Sequence, residues 1–164
     1  MRVGIGFDVH AFVESRSLVL GGVTIPHDRG LAGHSDADVL SHALMDALLS
    51  AMRLGDIGAH FPDRDPRFAG ADSIGLLEHV GALMRDEGWC LVDADTVLVL
   101  ERPRVSPYRD QMRERLAEAL AVPIGSIGVK ATTTEGLGFP GREEGVAAYA
   151  VVLIDRATAS RSAR

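Results

Sequence analysis

At 164 residues, with 46% hydrophobic and 24% charged residues, the chain is long enough for one domain with a real core and has the composition of a globular protein. Its formal net charge of −6 argues against general nucleic-acid binding, which carries a basic patch, and no apolar run approaches the ~20 residues of a membrane span. Cys90 is the single cysteine, so no intrachain disulfide forms, and Asp8 comes too early for a signal-peptide core; the chain reads as cytoplasmic.

Residues 2–10 read as a strand, whose period of two puts Asp8 and His10 on one face. Ser17 to Leu20 and Val23 to Ile25 flank Gly21-Gly22, a hairpin signal, and a polar loop follows from His27 to Gly33. His34-Ser35-Asp36 then opens a helix, capped by Ser35 or Asp36, with an apolar stripe through Val39, Leu40, Ala43, Leu44, Ala47 and Leu48 and an end at Gly55. Gly55 to Pro66 reads as loop. Asp72 or Ser73 caps a second helix running to about Glu87, stopped by Gly88. Val92 to Leu100 is an apolar strand, Pro107 to Leu120 a third helix, and Ile127 to Ala131 and Val146 to Ile154 two strands around a glycine-rich turn. This order predicts an α+β two-layer sandwich, a mixed β-sheet with helices on one face. Three helices cover only one face, so self-association is expected to cover the other. One domain is expected over 1–157, with a flexible tail over 158–164.

Four groups of residues carry chemistry. A carboxylate and an imidazole, Asp8 and His10, make two-thirds of a catalytic zinc site, although the pair also reads as a polar strand end. His42 is a candidate third ligand; Asp38 and Asp46 lie four residues either side of it on the same helix face, where either could orient the ring. Two neutral imidazoles and one carboxylate leave zinc net positive with an open position, suited to an anionic oxygen. His34 and Ser35 stand at the expected helix N-terminus, which attracts phosphate, although Ser35-Asp36 also serves as a plain cap. The segment from Lys130 through Thr132, Thr133, Thr134 and Glu135 sets a lysine, three hydroxyls and a ligand for Mg²⁺ or Mn²⁺ beside a glycine-rich turn. The loop from Asp56 to Gly58 and from Phe61 to Asp65 offers acceptors for polyol hydroxyls. There is no Walker loop, no dinucleotide-binding glycine fingerprint and no nucleophile elbow. The residues point to an enzyme acting on a phosphorylated polyol or nucleotide. A zinc-dependent phosphohydrolase and a non-catalytic trimeric nucleotide-binding module remain open beside it.

Gly6 to His10, His34 to Asp38, Gly55 to Gly58, Phe61-Pro62-Asp63, Lys130 to Glu135 and Gly141-Arg142 occur here in an order and spacing that resemble the 2-C-methyl-D-erythritol 2,4-cyclodiphosphate synthase family of the non-mevalonate isoprenoid pathway. The resemblance spans nearly the whole chain. It implies a lyase reaction in which the 2-phosphate of 4-diphosphocytidyl-2-C-methyl-D-erythritol 2-phosphate attacks its own β-phosphate, releasing CMP and closing a cyclic diphosphate. It implies Zn²⁺ on Asp8, His10 and His42, facing the β-phosphate, and a second divalent ion, Mg²⁺ or Mn²⁺, on Glu135. His34 and Thr133 match positions that stabilise the transition state. Asp56, Ile57, Gly58, Phe61, Pro62, Asp63, Arg64 and Asp65 match the erythritol-phosphate pocket, and Leu100, Glu101, Arg102, Pro103, Arg104, Val105, Ser106 and Thr132 the cytidine pocket. Ser35, Lys130, Phe139 and Arg142 complete the expected substrate contacts. The family is a homotrimer with intersubunit active sites, and the chain has no room for the cytidylyltransferase domain of fused members. Leu100, Arg104, Arg64 and Glu143 depart from the family pattern, which favours alanine, lysine, threonine and glycine there; Glu143 bears on isoprenoid phosphate binding at the trimer axis near Arg142.

Overall fold

A computed structural model describes residues 1–157 except Asp63 and Ala69, so the expected tail over 158–164 lies outside the described residues. Five strands, β1 (Arg2–Glu14), β4 (Arg29–Leu31), β5 (Trp89–Val99), β6 (Ile127–Thr132) and β7 (Gly145–Arg156), form one mixed sheet in the order β4-β1-β7-β5-β6. All neighbours pair antiparallel except β5 and β6, which run parallel. The expected hairpin forms a separate ribbon of β2 (Leu18–Leu20) and β3 (Val23–Ile25), with Gly21 and Gly22 at φ +57° and +71°, values that favour glycine.

Helices α1 (Val39–Met52), α3 (Ser73–Asp86) and α4 (Arg109–Leu120) give the two-layer α+β sandwich, with two short helices, α2 (Ile57–His60) and α5 (Gly138–Gly141), in the connections. The approach of α1 to β1 positions the site. A Cβ on Gly4 or Gly6 would stand 2.0 Å from the carbonyl oxygen of Ala47 or Ala43. Glycine on the strand and alanine on the helix therefore let the two backbones touch, which brings His42 down onto the residues that follow Gly6. The opposite face of the sheet is bare and apolar: Val3, Ile5, Phe7, Val9, Tyr149 and Val151 are all exposed, Ile5 by 66%.

Several boundaries differ from the sequence reading, β5 for example starting at Trp89 and not Val92, and three of the differences bear on the site. The cap of α1 is Asp38, whose carboxylate accepts from the Leu40 and Ser41 N–H groups, so the helix starts at Val39 and not at the His34-Ser35-Asp36 run. His34 and Ser35 therefore precede the helix and do not form its N-terminal anion site. The expected loop His27–Gly33 contains β4, which pairs with the end of a β1 that is longer than read. The Gly55–Pro66 loop contains α2, capped by the Asp56 carboxylate on Ala59 N–H at 2.9 Å.

Candidate metal centre and nucleotide pocket

Asp8 and His10 sit on the even-numbered face of β1 with Gly4 and Gly6, and so point at α1. Their ligand atoms meet His42: Asp8 Oδ2 lies 2.9 Å from His10 Nε2 and 3.0 Å from His42 Nδ1, and the two imidazole nitrogens are 3.1 Å apart. Ligands of a tetrahedral ion at ~2.0–2.1 Å stand ~3.3 Å apart, so one carboxylate and two imidazoles here fit a divalent metal without rearrangement. Burial works against the Asp8 carboxylate. Hydrogen bonds and charge attraction from both histidines outweigh it, and Asp8 stays ionised well below the usual carboxylate range. Burial likewise opposes charge on His10, but the Asp8 hydrogen bond raises its pKa above 6.5. Two basic rings crowd one carboxylate, an arrangement that a cation relieves.

The triad opens into a cleft of about 220 Å³ lined by His34, Ser35, Ile57, Gly58, Phe61, Phe68 and Leu76. His34 reaches across its mouth, Nε2 lying 3.4 Å from the Asp65 carbonyl. The Asp65 carboxylate is held by Arg67 at 2.6 Å, Pro62 and Arg64 are exposed beside it, and Asp63 lies outside the described residues. The structure thus brings together Asp8, His10, His34, Ser35, His42, Ile57, Gly58 and Phe61 from three separate stretches of chain.

A second pocket, of about 310 Å³, lies at the C-terminal ends of β5 and β6 and is lined by Leu100, Glu101, Pro103, Arg104, Val105, Ser106, Thr132 and Thr133. Leu100 is 3% exposed, belongs to the core, and donates its N–H to the Thr132 carbonyl. This pocket does not meet the cleft. Asp8, Ala148, Leu98 and Ala131 form one row across the sheet, three strand spacings or roughly 14 Å from end to end. Lys130, in register with Val97 and Tyr149, points to the bare face and pairs with Asp95 at 2.5 Å. Thr133 donates its hydroxyl to Glu135 at 2.7 Å, and Arg142 pairs with Glu144 at 2.9 Å next to the half-buried Phe139 in α5.

The YgbB family model matches residues 1–155. The chain belongs to the YgbB family. It is 62% identical over 154 residues, 94% of this chain and 97% of the relative, to a protein of Syntrophobacter fumaroxidans named 2-C-methyl-D-erythritol 2,4-cyclodiphosphate synthase. Among solved structures, the bifunctional IspDF of Campylobacter jejuni matches at TM-score 0.91 and 42% identity, over 94% of this chain and 42% of that one. A CDP-bound 2C-methyl-D-erythritol-2,4-cyclodiphosphate synthase matches at TM-score 0.86 and 44% identity, over 94% of this chain and all of that one.

Within this YgbB fold, two expected orienting residues have other work. Asp38 is fully buried and accepts from the N–H groups of Gly21 and Gly22 at 2.8 and 2.7 Å, locking the β2–β3 ribbon to α1. Asp46 accepts from Ile57 N–H at 2.8 Å and fixes the start of α2. Burial raises both carboxyl pKa values. Neither carboxylate touches His42, because the i±4 spacing says which face a residue shares and not which way its short side chain turns. His42 Nε2 instead lies 2.9 Å from Ser73 Oγ and 3.2 Å from Ser35 Oγ. Ser73 was read only as part of a helix cap; nothing in the sequence ties it to His42, since the contact is made by packing α3 against α1. Glu101 also differs from expectation: its Oε1 accepts the N–H groups of Thr134 and Gly136 at 2.9 and 3.2 Å, holding the turn that carries Glu135. Arg102 leans away from the pocket toward Glu143 at 3.5 Å.

Proposed function

We propose that this YgbB chain converts 4-diphosphocytidyl-2-C-methyl-D-erythritol 2-phosphate to 2-C-methyl-D-erythritol 2,4-cyclodiphosphate and CMP. The observation that carries the reading is the convergence of Asp8, His10 and His42 on one point at the floor of a cleft, in a chain whose relatives bear that enzyme's name. We assign Zn²⁺ to this triad and Mg²⁺ or Mn²⁺ to Glu135. The zinc, when bound, supplies a Lewis acid with an open position for a phosphate oxygen.

The remaining chemistry belongs to the chain. The Ile57-Gly58 segment and Phe61 shape the cleft for the methylerythritol phosphate, with Asp56, Pro62, Arg64 and Asp65 at its rim. Holding both phosphates of one molecule makes the attack unimolecular, and such positioning supplies roughly 7–11 kcal/mol of barrier. No general base is needed, because a phosphate dianion is already a nucleophile. His34 at the mouth of the cleft, with Thr133 from a second pocket and Lys130 from the bare face of the sheet, offsets the charge that builds as the phosphates close. The pocket of Leu100 to Ser106 and Thr132 receives the cytidine.

We place the two halves of each active site on adjacent subunits of a homotrimer. Two features support this: the bare face carries large exposed apolar side chains such as Ile5 and Tyr149, and Lys130 shares that face while the triad points away from it. An exposed free Cys90 suits the reducing cytoplasm. None of the described helices is long and apolar enough to cross a membrane.

Incubation with the diphosphocytidyl substrate, followed by ³¹P NMR, tests the reading. The cyclic diphosphate and CMP are expected, and His42→Ala abolishes both. Inorganic phosphate as the product would indicate a phosphohydrolase, and CDP binding without turnover a nucleotide-binding module; either result overturns the proposal.

A further inference from the structure

The triad leaves one nitrogen of His42 unaccounted for. Nδ1 faces Asp8 and His10, and Nε2 points the other way, into the seam between α1 and the start of α3. There it meets Ser73, which is fully buried, at 2.9 Å. Ser73 has one hydroxyl proton and a second close partner, Asp36 Oδ1. The Asp36 carboxylate also accepts Ser73 N–H on Oδ2 at 3.2 Å, at the N-terminus of α3, where the helix dipole favours a negative charge.

The direction of each hydrogen bond follows from these contacts. A carboxylate only accepts, so the Ser73 hydroxyl donates to Asp36. Its proton spent, Ser73 Oγ can only accept from His42. Nε2 must then carry a hydrogen, and Nδ1 keeps its lone pair for a metal. Ser35 Oγ, 3.2 Å from the same nitrogen and already accepting Ala37 N–H at 3.1 Å, adds a second polar contact on that side.

We propose that Ser73 and Asp36 form a hydrogen-bond relay that fixes the His42 tautomer and ring orientation for metal binding through Nδ1. Ser73 is a positioning residue, acting on the ion through His42 and without touching substrate. The proposal deepens the metal assignment made above and rests on it. It also explains why a serine at the first position of α3 is completely buried while the helix is already capped by Asp72.

The test measures metal and protons, not turnover. Competition for Zn²⁺ with a chromophoric chelator should show Ser73→Ala binding roughly 10–100-fold more weakly than wild type, the usual cost of losing the partner that orients a metal-bound histidine. In the zinc-free wild type, where no metal dictates the tautomer, long-range ¹H–¹⁵N NMR should show the His42 proton on Nε2, slowly exchanging, and Ser73→Ala should make it exchange quickly. An affinity within twofold of wild type, or a His42 proton found on Nδ1, overturns the relay. If Ser73→Ala does not fold, the wild-type spectrum alone decides. Substrate takes no part in either measurement, so failure to release CMP would count against the reaction and leave the relay standing.

Discussion

In the cleft between β1 and α1, three ligand atoms point at one another and share too few partners. Around the pocket beyond the ends of β5 and β6, several charged groups are already paired within their own neighbourhood: Lys130 with Asp95, Glu135 with the Thr133 hydroxyl, Glu101 with two backbone N–H groups. The cleft is built by distant stretches of chain converging through packing; the pocket is built by two adjacent parallel strands and the turns beyond them. One region thus has the ligand geometry that suits a cation, and the other presents hydroxyl and backbone groups, as the proposed division of the substrate requires.

The comparison breaks most sharply under substitution of the triad. His42→Ala is expected to strip the metal and lower CMP release by ~10²-fold or more, the scale of losing a principal electrostatic group. Lys130→Ala should leave metal content unchanged and weaken CDP binding. Metal analysis and calorimetry on the two variants separate the regions; loss of metal from Lys130→Ala would show that they are not independent.

Glu101 sharpens the contrast within the second region. Glu101→Ala should raise the Mg²⁺ or Mn²⁺ concentration for half-maximal activity roughly tenfold, by loosening the turn that presents Glu135, and Glu101→Gln, which keeps an acceptor oxygen, should recover most of it. The Thr134 and Gly136 N–H groups hold this carboxyl below its ordinary 4.5. Its support for the turn is therefore complete above that pH and is lost as the pH falls through the lower folded value. Hydrogen exchange of the 132–137 segment against pH follows the loosening directly.

How much of this was legible in the sequence follows from the same distinction. Asp8 and His10 share a face because strands alternate; His42 was only a candidate from its place on the helix, and the family resemblance made it the third ligand. The approach of α1 through Gly4 and Gly6 could not be read, because a glycine in a strand pattern does not say what passes over it. Asp38 and Asp46 were misassigned because helical periodicity ranks neighbours on one element, while the actual partner of His42 arrives on another. The cap at Asp38 was missed because Ser35, Asp36 and Asp38 are all good caps; the hairpin N–H groups of Gly21 and Gly22 favour the last. The apolar bare face was implied by counting helices, and the alternation of glycine with Val3, Ile5, Phe7 and Val9 is its direct signature.

If the cleft of one subunit works with the pocket of the next, two dead variants should rescue each other. In trimers refolded from equal amounts of His42→Ala and Glu135→Ala chains, a quarter of the sites receive an intact cleft and an intact pocket, so about one-quarter of wild-type activity is expected. Each homotrimer alone should stay inactive. No recovery in mixed trimers, whose composition is checked by native mass spectrometry, would place both halves of the site on one chain.

The smallest expected effect concerns the seam beside the second region. Glu143 takes φ +54°, a left-handed conformation that usually selects glycine, the residue the family pattern favours there. Its side chain spans Arg29 at 3.4 Å and Arg102 at 3.5 Å, tying β4 to the loop that lines the second pocket. Partly exposed pairs of this length contribute up to ~1 kcal/mol together, and the backbone strain of a non-glycine residue costs about the same. Glu143→Gly should therefore shift the unfolding free energy by less than ~0.5 kcal/mol, since the two terms cancel. The variant should leave CDP affinity and its salt dependence unchanged, because the Arg102 side chain is already 76% exposed and leans away from the pocket. Denaturant melts and calorimetry at two ionic strengths read the two quantities separately. A large loss of stability would mean that the pairs outweigh the strain, and a changed salt response would mean that Arg102 bears on the pocket after all.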